Sequence, residues 1–217
     1  MFDIDGTLIS TGGASDRAWR RAFRELQGVD VDVPAVTGKG VPDPAVGRVV
    51  FEQAIGRRPT EEEAGALMRR RLDHLPAEVG SSPGYVVKDC VVETLEKLTA
   101  EGIKLGLTTG NVEEAARIKL ARADLGRFFS FGGYGSDSPD RTELTERALE
   151  RAAQLLDGEL DLAQCLACGD TPRDVEAGHN AGIRVVGVAT GEFTLDELRQ
   201  AKADAVISSF CEGLPLL

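Results

Sequence analysis

Phe2-Asp3-Ile4-Asp5-Gly6-Thr7-Leu8, at the start of the chain, is the stretch that decides the fold. Alternate side chains of an extended segment point to one face, so Asp3 and Asp5 are expected to project together where a strand ends. Gly6 then lets the backbone turn without a Cβ penalty. Two carboxylates this close repel each other unless a cation or proton lies between them. The stretch therefore suits a hard-cation site with one carboxylate acting as nucleophile.

The alternative for this stretch is a surface Asp-x-Asp-Gly loop or a fragment of a calcium loop. A calcium loop closes with a Glu, and Ala14 stands at that position. The choice therefore depends on the residues that follow. Only Met1 and Phe2 precede Asp3, whereas a central strand usually has about five residues. We therefore expect further apolar residues before Met1 in the natural chain; the alternative is a very short strand.

The composition limits the class of protein. The chain has 217 residues, of which 42% are hydrophobic and 28% charged, as in a soluble globular protein of one or two domains. Its net charge of -11 argues against a general nucleic-acid or membrane-surface binder. No apolar run is long enough for a membrane span, and no signal peptide is visible. We expect a cytoplasmic protein without nucleic-acid or membrane partners, and we make no prediction of its oligomeric state.

Residues 14 to 78 are predicted to be helical. Apolar residues recur at helical spacing from 14 to a stop at Gly28, and a Pro- and Gly-rich loop follows over 33 to 44. A second helix is predicted over about 44 to 55. A third runs from a Thr60 cap, with Glu63 three residues later, to about Leu75. Residues 80 to 84 have the composition of a linker.

From about residue 88 the pattern alternates between helix and apolar strand, which predicts an α/β fold. Parallel strands joined by right-handed helical crossovers follow from this alternation. Such sheets bind ligands beyond the carboxyl ends of their strands. The polar residues that directly follow predicted strands are expected along that edge: Asp3, Asp5, Thr109, Asp170 and Asp174.

Two of the four cysteines form a C-x-x-C spacing, which is typical of redox or zinc sites. Cys165 and Cys168 lie in a predicted buried strand, where residues three apart face opposite sides. No second cysteine pair completes a zinc site. We therefore interpret them as core residues.

These motifs resemble those of the haloacid dehalogenase superfamily, and specifically its phosphoglycolate phosphatase-like subgroup. The matching elements are the Asp-x-Asp-Gly-Thr opening, Thr109 before Gly110-Asn111, and Gly169-Asp170-x-x-x-Asp174. The resemblance covers nearly the whole chain. It implies a Rossmann-like parallel-sheet core formed by residues 1–13 and 84–217. It also implies a small all-helical cap domain over 14–83, linkers included.

The third motif of the family departs from its usual form. The family has Lys there, and residues 120 to 201 contain none. Arg141 is the best candidate, since Arg carries a permanent charge and grips phosphate with two donors. The alternative is an ordinary solvated arginine.

The resemblance implies a role for each matching residue. Asp3 would form an aspartyl-phosphate, and Asp5 would act as general acid and then base. Mg²⁺ would be held by Asp3, the Asp5 carbonyl and Asp170, with Asp174 supporting them. The groups that would bind or neutralise the phosphoryl oxygens are Thr109, the Gly110 and Asn111 amides, and Arg141.

Asp5 favours phosphoryl transfer, because the family's dehalogenases lack this second acid. The predicted function is a magnesium-dependent phosphatase that acts on a small phosphorylated metabolite. The alternatives are a sugar-phosphate mutase of the same superfamily and a non-catalytic phospholigand-binding protein. Lys39, in a Gly-flanked loop, is a candidate substrate contact; the alternative is a surface lysine.

Overall fold

A computed structural model describes residues 1–38, 40–158 and 160–215. The structure has the predicted helices between residues 14 and 81 and, after them, the predicted alternation of helix and strand; several helices and strands begin or end at other residues than expected. In chain order the elements are β1 (Ile9–Ser10), α1 (Ala14–Gln27), α2 (Val33–Val36), α3 (Asp43–Ile55), α4 (Glu61–Ser81), β2 (Val86–Val87), α5 (Val91–Ala100), β3 (Gly106–Thr109), α6 (Glu113–Ala121), β4 (Phe131–Tyr134), α7 (Arg141–Leu155), β5 (Leu166–Gly169), α8 (Pro172–Asn180), β6 (Arg184–Val188), α9 (Leu195–Gln200) and β7 (Ala205–Ile207).

The first three residues lie at the centre of a parallel sheet. Strand β3 pairs with β4, and β5, β6 and β7 pair in that order. Phe2 bridges the two groups through Leu107 on one side and Cys168 on the other. The Asp3 amide donates to the Cys168 carbonyl at 2.9 Å. The spatial order is therefore β4, β3, the chain start, β5, β6, β7, and the short first strand consists of an isolated bridge.

Both faces of this sheet are covered, as expected for parallel strands. One hydrophobic cluster includes Ile4, Leu95 and Val186, and another on β5, β6 and α8 includes Val175 and Val185. Helix α7 packs directly on β4, where a Cβ on Gly133 would lie 1.8 Å from a backbone oxygen of the helix. Only glycine permits that approach.

Helices α1 to α4, here named the insert helices, have a hydrophobic core of their own. Trp19, Phe23, Phe51 and Leu67 are buried in it. The predicted Thr60–Glu63 capping box is confirmed at the start of α4. Helix α4, however, does not end near residue 75: it continues through Pro76 to Ser81, because its buried face extends to Val79. The predicted loop over 33 to 44 contains the short helix α2.

The chain leaves and re-enters the sheet region at one narrow crossing. Strands β1 and β2 pair antiparallel there. Gly12 and Gly84 touch, since a Cβ on Gly12 would lie 2.4 Å from the Gly84 carbonyl carbon. The Ser82 hydroxyl donates to the Thr11 carbonyl at 2.7 Å. These contacts fix the point from which the insert helices project.

A disulfide joins Cys90, just before α5, to Cys211 near the end of the chain. Sequence spacing gave no indication of it, because 121 residues separate the two cysteines. Cys165 and Cys168 are both free. Cys168 is buried in β5, as predicted, and burial raises its pKa to about 12, whereas Cys165 lies just before the strand and is only partly buried. Among the described residues, no helix combines the length and apolarity that crossing a membrane requires.

Candidate active site

Three buried carboxylates meet at the carboxyl edge of the sheet. Asp3 follows the central bridge, Asp170 follows β5, and Asp174 lies in the first turn of α8. One oxygen of each lies within 4.8 Å of the others. Burial, and then the neighbouring carboxylates, raise the pKa of Asp170 to about 8. Burial also raises the pKa of Asp3 to about 7, although Arg141 acts in the opposite direction.

Arg141 brings a positive charge to this cluster. Its Nη2 donates to Asp174 Oδ1 and lies 3.5 Å from Asp3 Oδ1. The guanidinium is buried at the start of α7, so the alternative of a solvated arginine is wrong. The other oxygen of Asp174 accepts from the Thr171 amide at 3.0 Å, which anchors it to the N-terminus of α8. The predicted role of Arg141 toward a phosphoryl group stays a prediction.

The Thr109-Gly110-Asn111 turn lies at the end of β3. Thr109 Oγ1 accepts from the Asn111 amide at 3.3 Å and from its side-chain Nδ2 at 2.9 Å. The Gly110 carbonyl accepts from the Asp43 amide of α3 at 2.8 Å. Asp43 Oδ2 accepts from the Val112 amide at 3.0 Å. An insert helix thus holds this turn directly.

Asp5 faces the same cavity from a different side. Its Oδ2 accepts from Asn111 Nδ2 at 2.7 Å and from Lys119 Nζ at 2.6 Å. Burial alone would raise its pKa, but Lys119 and Asn111 outweigh burial and lower it. Its carboxylate is not among the three that converge for a cation in the described part of the chain. Asp5 therefore stays a predicted metal ligand through its backbone carbonyl and not through its carboxylate.

These groups line one cavity of about 340 Å³ between the sheet edge and the insert helices. The sheet side of the cavity is lined mainly by charged and polar groups. The insert side adds apolar side chains to its hydroxyls and carboxylates. The sheet-side residues include Asp3, Asp5, Thr109, Gly110, Asn111, Lys119, Arg141 and Asp170; those of the insert side include Ser15, Asp16, Trp19, Val33, Thr37, Asp43 and Val46.

Comparison with known proteins gives a consistent result. The family model "haloacid dehalogenase-like hydrolase" matches residues 1–182. The chain is a haloacid dehalogenase-like hydrolase. The phosphoglycolate phosphatase of Agrobacterium fabrum is 28% identical, and the match covers 100% of this chain and 91% of that protein.

Two solved structures have the same fold as this haloacid dehalogenase-like hydrolase. A predicted phosphoglycolate phosphatase from Haemophilus somnus superposes with a TM-score of 0.75 at 22% identity, over 97% of this chain and 93% of its own. A β-phosphoglucomutase from Clostridium difficile gives 0.74 at 19% identity, over 99% and 92%. The predicted family and α/β fold are confirmed.

The acid cluster of this haloacid dehalogenase-like hydrolase fits a magnesium ion. Its donors are carboxylate oxygens, which Mg²⁺ prefers, and the raised pKa values of Asp3 and Asp170 indicate charge that a cation would neutralise. Asp170 is held in place by the Thr7 hydroxyl, which donates to its Oδ1 at 2.8 Å. A Cβ on Gly191 would lie 1.7 Å from Asp170 Oδ2, so the backbone also confines this carboxylate.

The sequence prediction missed Lys119 and the Asp43–Arg71 pair. Lys119 is buried on the apolar face of α6, beside Ala115, Ala116 and Leu120. A lysine on an otherwise apolar helix face was the available signal. Asp43 and Arg71 carry no comparable pattern. Lys39 lies outside the described residues, and its contact with substrate stays a prediction.

Proposed function

We propose that this protein is a magnesium-dependent phosphatase that hydrolyses a small phosphorylated metabolite through an aspartyl-phosphate. One observation carries the proposal: Asp3 and Asp5 line a single cavity, with Asp3 beside Arg141 and Asp5 hydrogen-bonded to Asn111 of the Thr109 turn. A nucleophile and a separate acid are what displacement of an alkoxide from phosphorus requires.

In the proposed reaction, an Asp3 oxygen bonds to phosphorus while the bond from phosphorus to the leaving oxygen breaks. Asp5, whose contacts with Lys119 and Asn111 favour its ionised form, first takes up a proton from solvent and then passes it to that oxygen, so an alcohol leaves. Asp5 then accepts a proton from a water molecule whose oxygen attacks the aspartyl-phosphate. Inorganic phosphate leaves, and Asp3 is regenerated as a carboxylate.

The remaining residues would hold the phosphoryl group and offset its charge. Arg141 lies beside Asp3, and Thr109, Gly110 and Asn111 belong to a turn that lines the same cavity. Mg²⁺, held by Asp3, the Asp5 carbonyl and Asp170 with support from Asp174, would supply charge neutralisation at the phosphoryl oxygens.

The substrate's remaining part would face the insert helices, which we propose form the cap over 14–83 on a core of 1–13 and 84–217. Relatives described as phosphoglycolate phosphatases make 2-phosphoglycolate the first substrate to test. A cytoplasmic location is part of the proposal. The Cys90–Cys211 disulfide argues against it, since such bonds persist mainly in oxidising compartments. Thiol trapping in fractionated cells would show in which compartment the protein lies and whether the Cys90–Cys211 disulfide is formed there.

The test is phosphate release from a panel of phosphomonoesters, with Mg²⁺ and with EDTA. We expect magnesium-dependent release, abolished in Asp3→Asn. Turnover retained in Asp3→Asn would refute the aspartyl-phosphate. Interconversion of phosphosugar isomers without phosphate release would identify a mutase instead, and thermal stabilisation by phosphoesters without turnover would identify a binding protein.

A further inference from the structure

Lys119 has no assigned role in the proposed reaction, yet it is one of three buried cationic side chains among the described residues, with Arg71 and Arg141. Arg141 contacts Asp3 and Asp174, and Arg71 pairs with Asp43. Lys119 contacts the second acid of the opening motif. Each of these three cationic side chains therefore contacts different carboxylates.

The contacts of Lys119 are specific to one oxygen of Asp5. Its Nζ lies 2.6 Å from Asp5 Oδ2 and 2.5 Å from Asn111 Oδ1. Asn111 Nδ2 donates to the same Asp5 oxygen at 2.7 Å and to Thr109 Oγ1 at 2.9 Å. Asp5 Oδ2 thus accepts two donors, while the residue lines the cavity and its side chain is 41% exposed.

Two donors on one oxygen leave the other as the site for a proton. A protonated carboxyl has one O–H, and the oxygen that already accepts two hydrogen bonds is the poorer place for it. The arrangement therefore leaves Oδ1 as the oxygen that can carry the proton. The Asn111 side chain links the same Asp5 oxygen to Thr109 through its own hydrogen bonds, without Lys119.

We propose that Lys119 is the positioning residue of the general acid Asp5, fixing which carboxyl oxygen delivers the proton to the leaving group. This inference rests on the proposed phosphatase function. The two cations then have different roles: Lys119 acts on the departing oxygen through Asp5, whereas Arg141 lies beside the nucleophile Asp3.

The leaving group distinguishes this role from a structural one. An alkyl phosphate needs a proton on its departing oxygen, whereas p-nitrophenolate leaves without one. Since general acids contribute about 10²–10⁴-fold, we expect Lys119→Met to lower kcat/KM about 10- to 100-fold on an alkyl phosphate. On p-nitrophenyl phosphate we expect less than about a threefold loss. The kcat/KM value is the right quantity, because it ends at phosphoenzyme formation and excludes the hydrolysis common to both esters.

The experiment measures both esters with Mg²⁺ for wild type, Lys119→Met, Asp5→Asn and their double mutant. Arg117→Met is the matched control, since Arg117 is 78% exposed on the same helix and pairs with Glu113. If Lys119 acts through Asp5, the substitution has no further effect on the alkyl ester once Asp5 is Asn. Lys119→Gln, which keeps an uncharged NH₂ donor group, is expected to show the same selectivity with a smaller loss, and it carries the comparison if Lys119→Met does not fold.

Equal losses on the two esters, or a full additional loss in the Asp5→Asn background, would overturn the inference while leaving the phosphatase function intact. A wild-type protein that releases phosphate from no ester would overturn the proposed function itself, and the inference with it.

Discussion

Arg71 and Asp43 form an ion pair buried between the insert helices, and breaking it is expected to destabilise the protein strongly. The guanidinium donates to Asp43 Oδ2 at 2.7 Å and to Oδ1 at 3.0 Å. The Arg71 side chain is fully buried and that of Asp43 is 10% exposed. Arg71→Met keeps much of the side-chain volume but leaves the carboxylate with one charge-neutral donor, the Val112 amide.

The expected loss in free energy of unfolding is about 3–5 kcal/mol, the range for removing one partner of a buried pair. Most of it comes from the uncompensated charge and not from the lost contact. Arg71→Met combined with Asp43→Asn removes both charges and retains an acceptor for Val112. The double mutant is therefore expected to recover to within about 2 kcal/mol of wild type, because a neutral hydrogen bond to a buried amide contributes on this scale.

Urea denaturation measures the change, with circular dichroism for the whole chain and Trp19 fluorescence for the insert helices. Trp19 is the single tryptophan, and its ring centroid lies 5.1 Å from Arg71 Cζ. Arg48→Met is the matched control: Arg48 pairs with Glu61 between the same two helices, but the side chains are 51% and 82% exposed. That control is expected to lose less than about 1 kcal/mol. An Arg71→Met protein as stable as Arg48→Met, or a double mutant no more stable than the single, would refute the reasoning.

Two further predictions concern the acid cluster. The folded-state pKa values of about 7 for Asp3 and about 8 for Asp170 lie above the usual 3.8, so the metal-free folded state holds protons that the unfolded chain has already lost. The free energy of unfolding is therefore expected to fall as pH rises from the usual pKa to these raised values. Mg²⁺ competes with those protons, so the rise in melting temperature on adding Mg²⁺ should be larger at pH 8.5 than at pH 6; an equal or smaller rise at pH 8.5 would contradict this. Gly191→Ala places a Cβ against Asp170, so calorimetry should show Mg²⁺ affinity at least about tenfold weaker, as when groups that support a metal ligand are altered. Gly126→Ala, with open space around it and no left-handed backbone, should bind Mg²⁺ as wild type does.

Much of the fold could be predicted because its signals are local. Helical spacing, the Thr60–Glu63 capping box and the polar residues that end each strand are all properties of a few neighbouring residues. Strand ends gave the edge at which Asp3, Thr109 and Asp170 meet, since parallel strands align their carboxyl ends. The predicted end of α4 near Leu75 was wrong. A proline such as Pro76 usually marks a helix end, but burial of Val79 favours continuation of this helix.

Contacts between distant residues could not be predicted in the same way. Lys119 meets Asp5 across 114 positions, and Arg71 meets Asp43 across 28. Nothing in the sequence around either cation specifies its partner, since the pairing exists only after the helices pack on the sheet. Arg141 was predicted only because the resemblance supplied a place for it.

The Cys90–Cys211 bond closes residues 90 to 211 into a covalent ring that contains β3 through β7 and excludes every insert helix. For a ring of this size, the chain-entropy relation gives a stabilisation of about 5 kcal/mol. That contribution depends on the number of residues inside the ring alone. The insert helices, which lie outside the ring, can therefore change in length without altering it. The covalent reinforcement and the insert helices thus lie on separate stretches of the same chain.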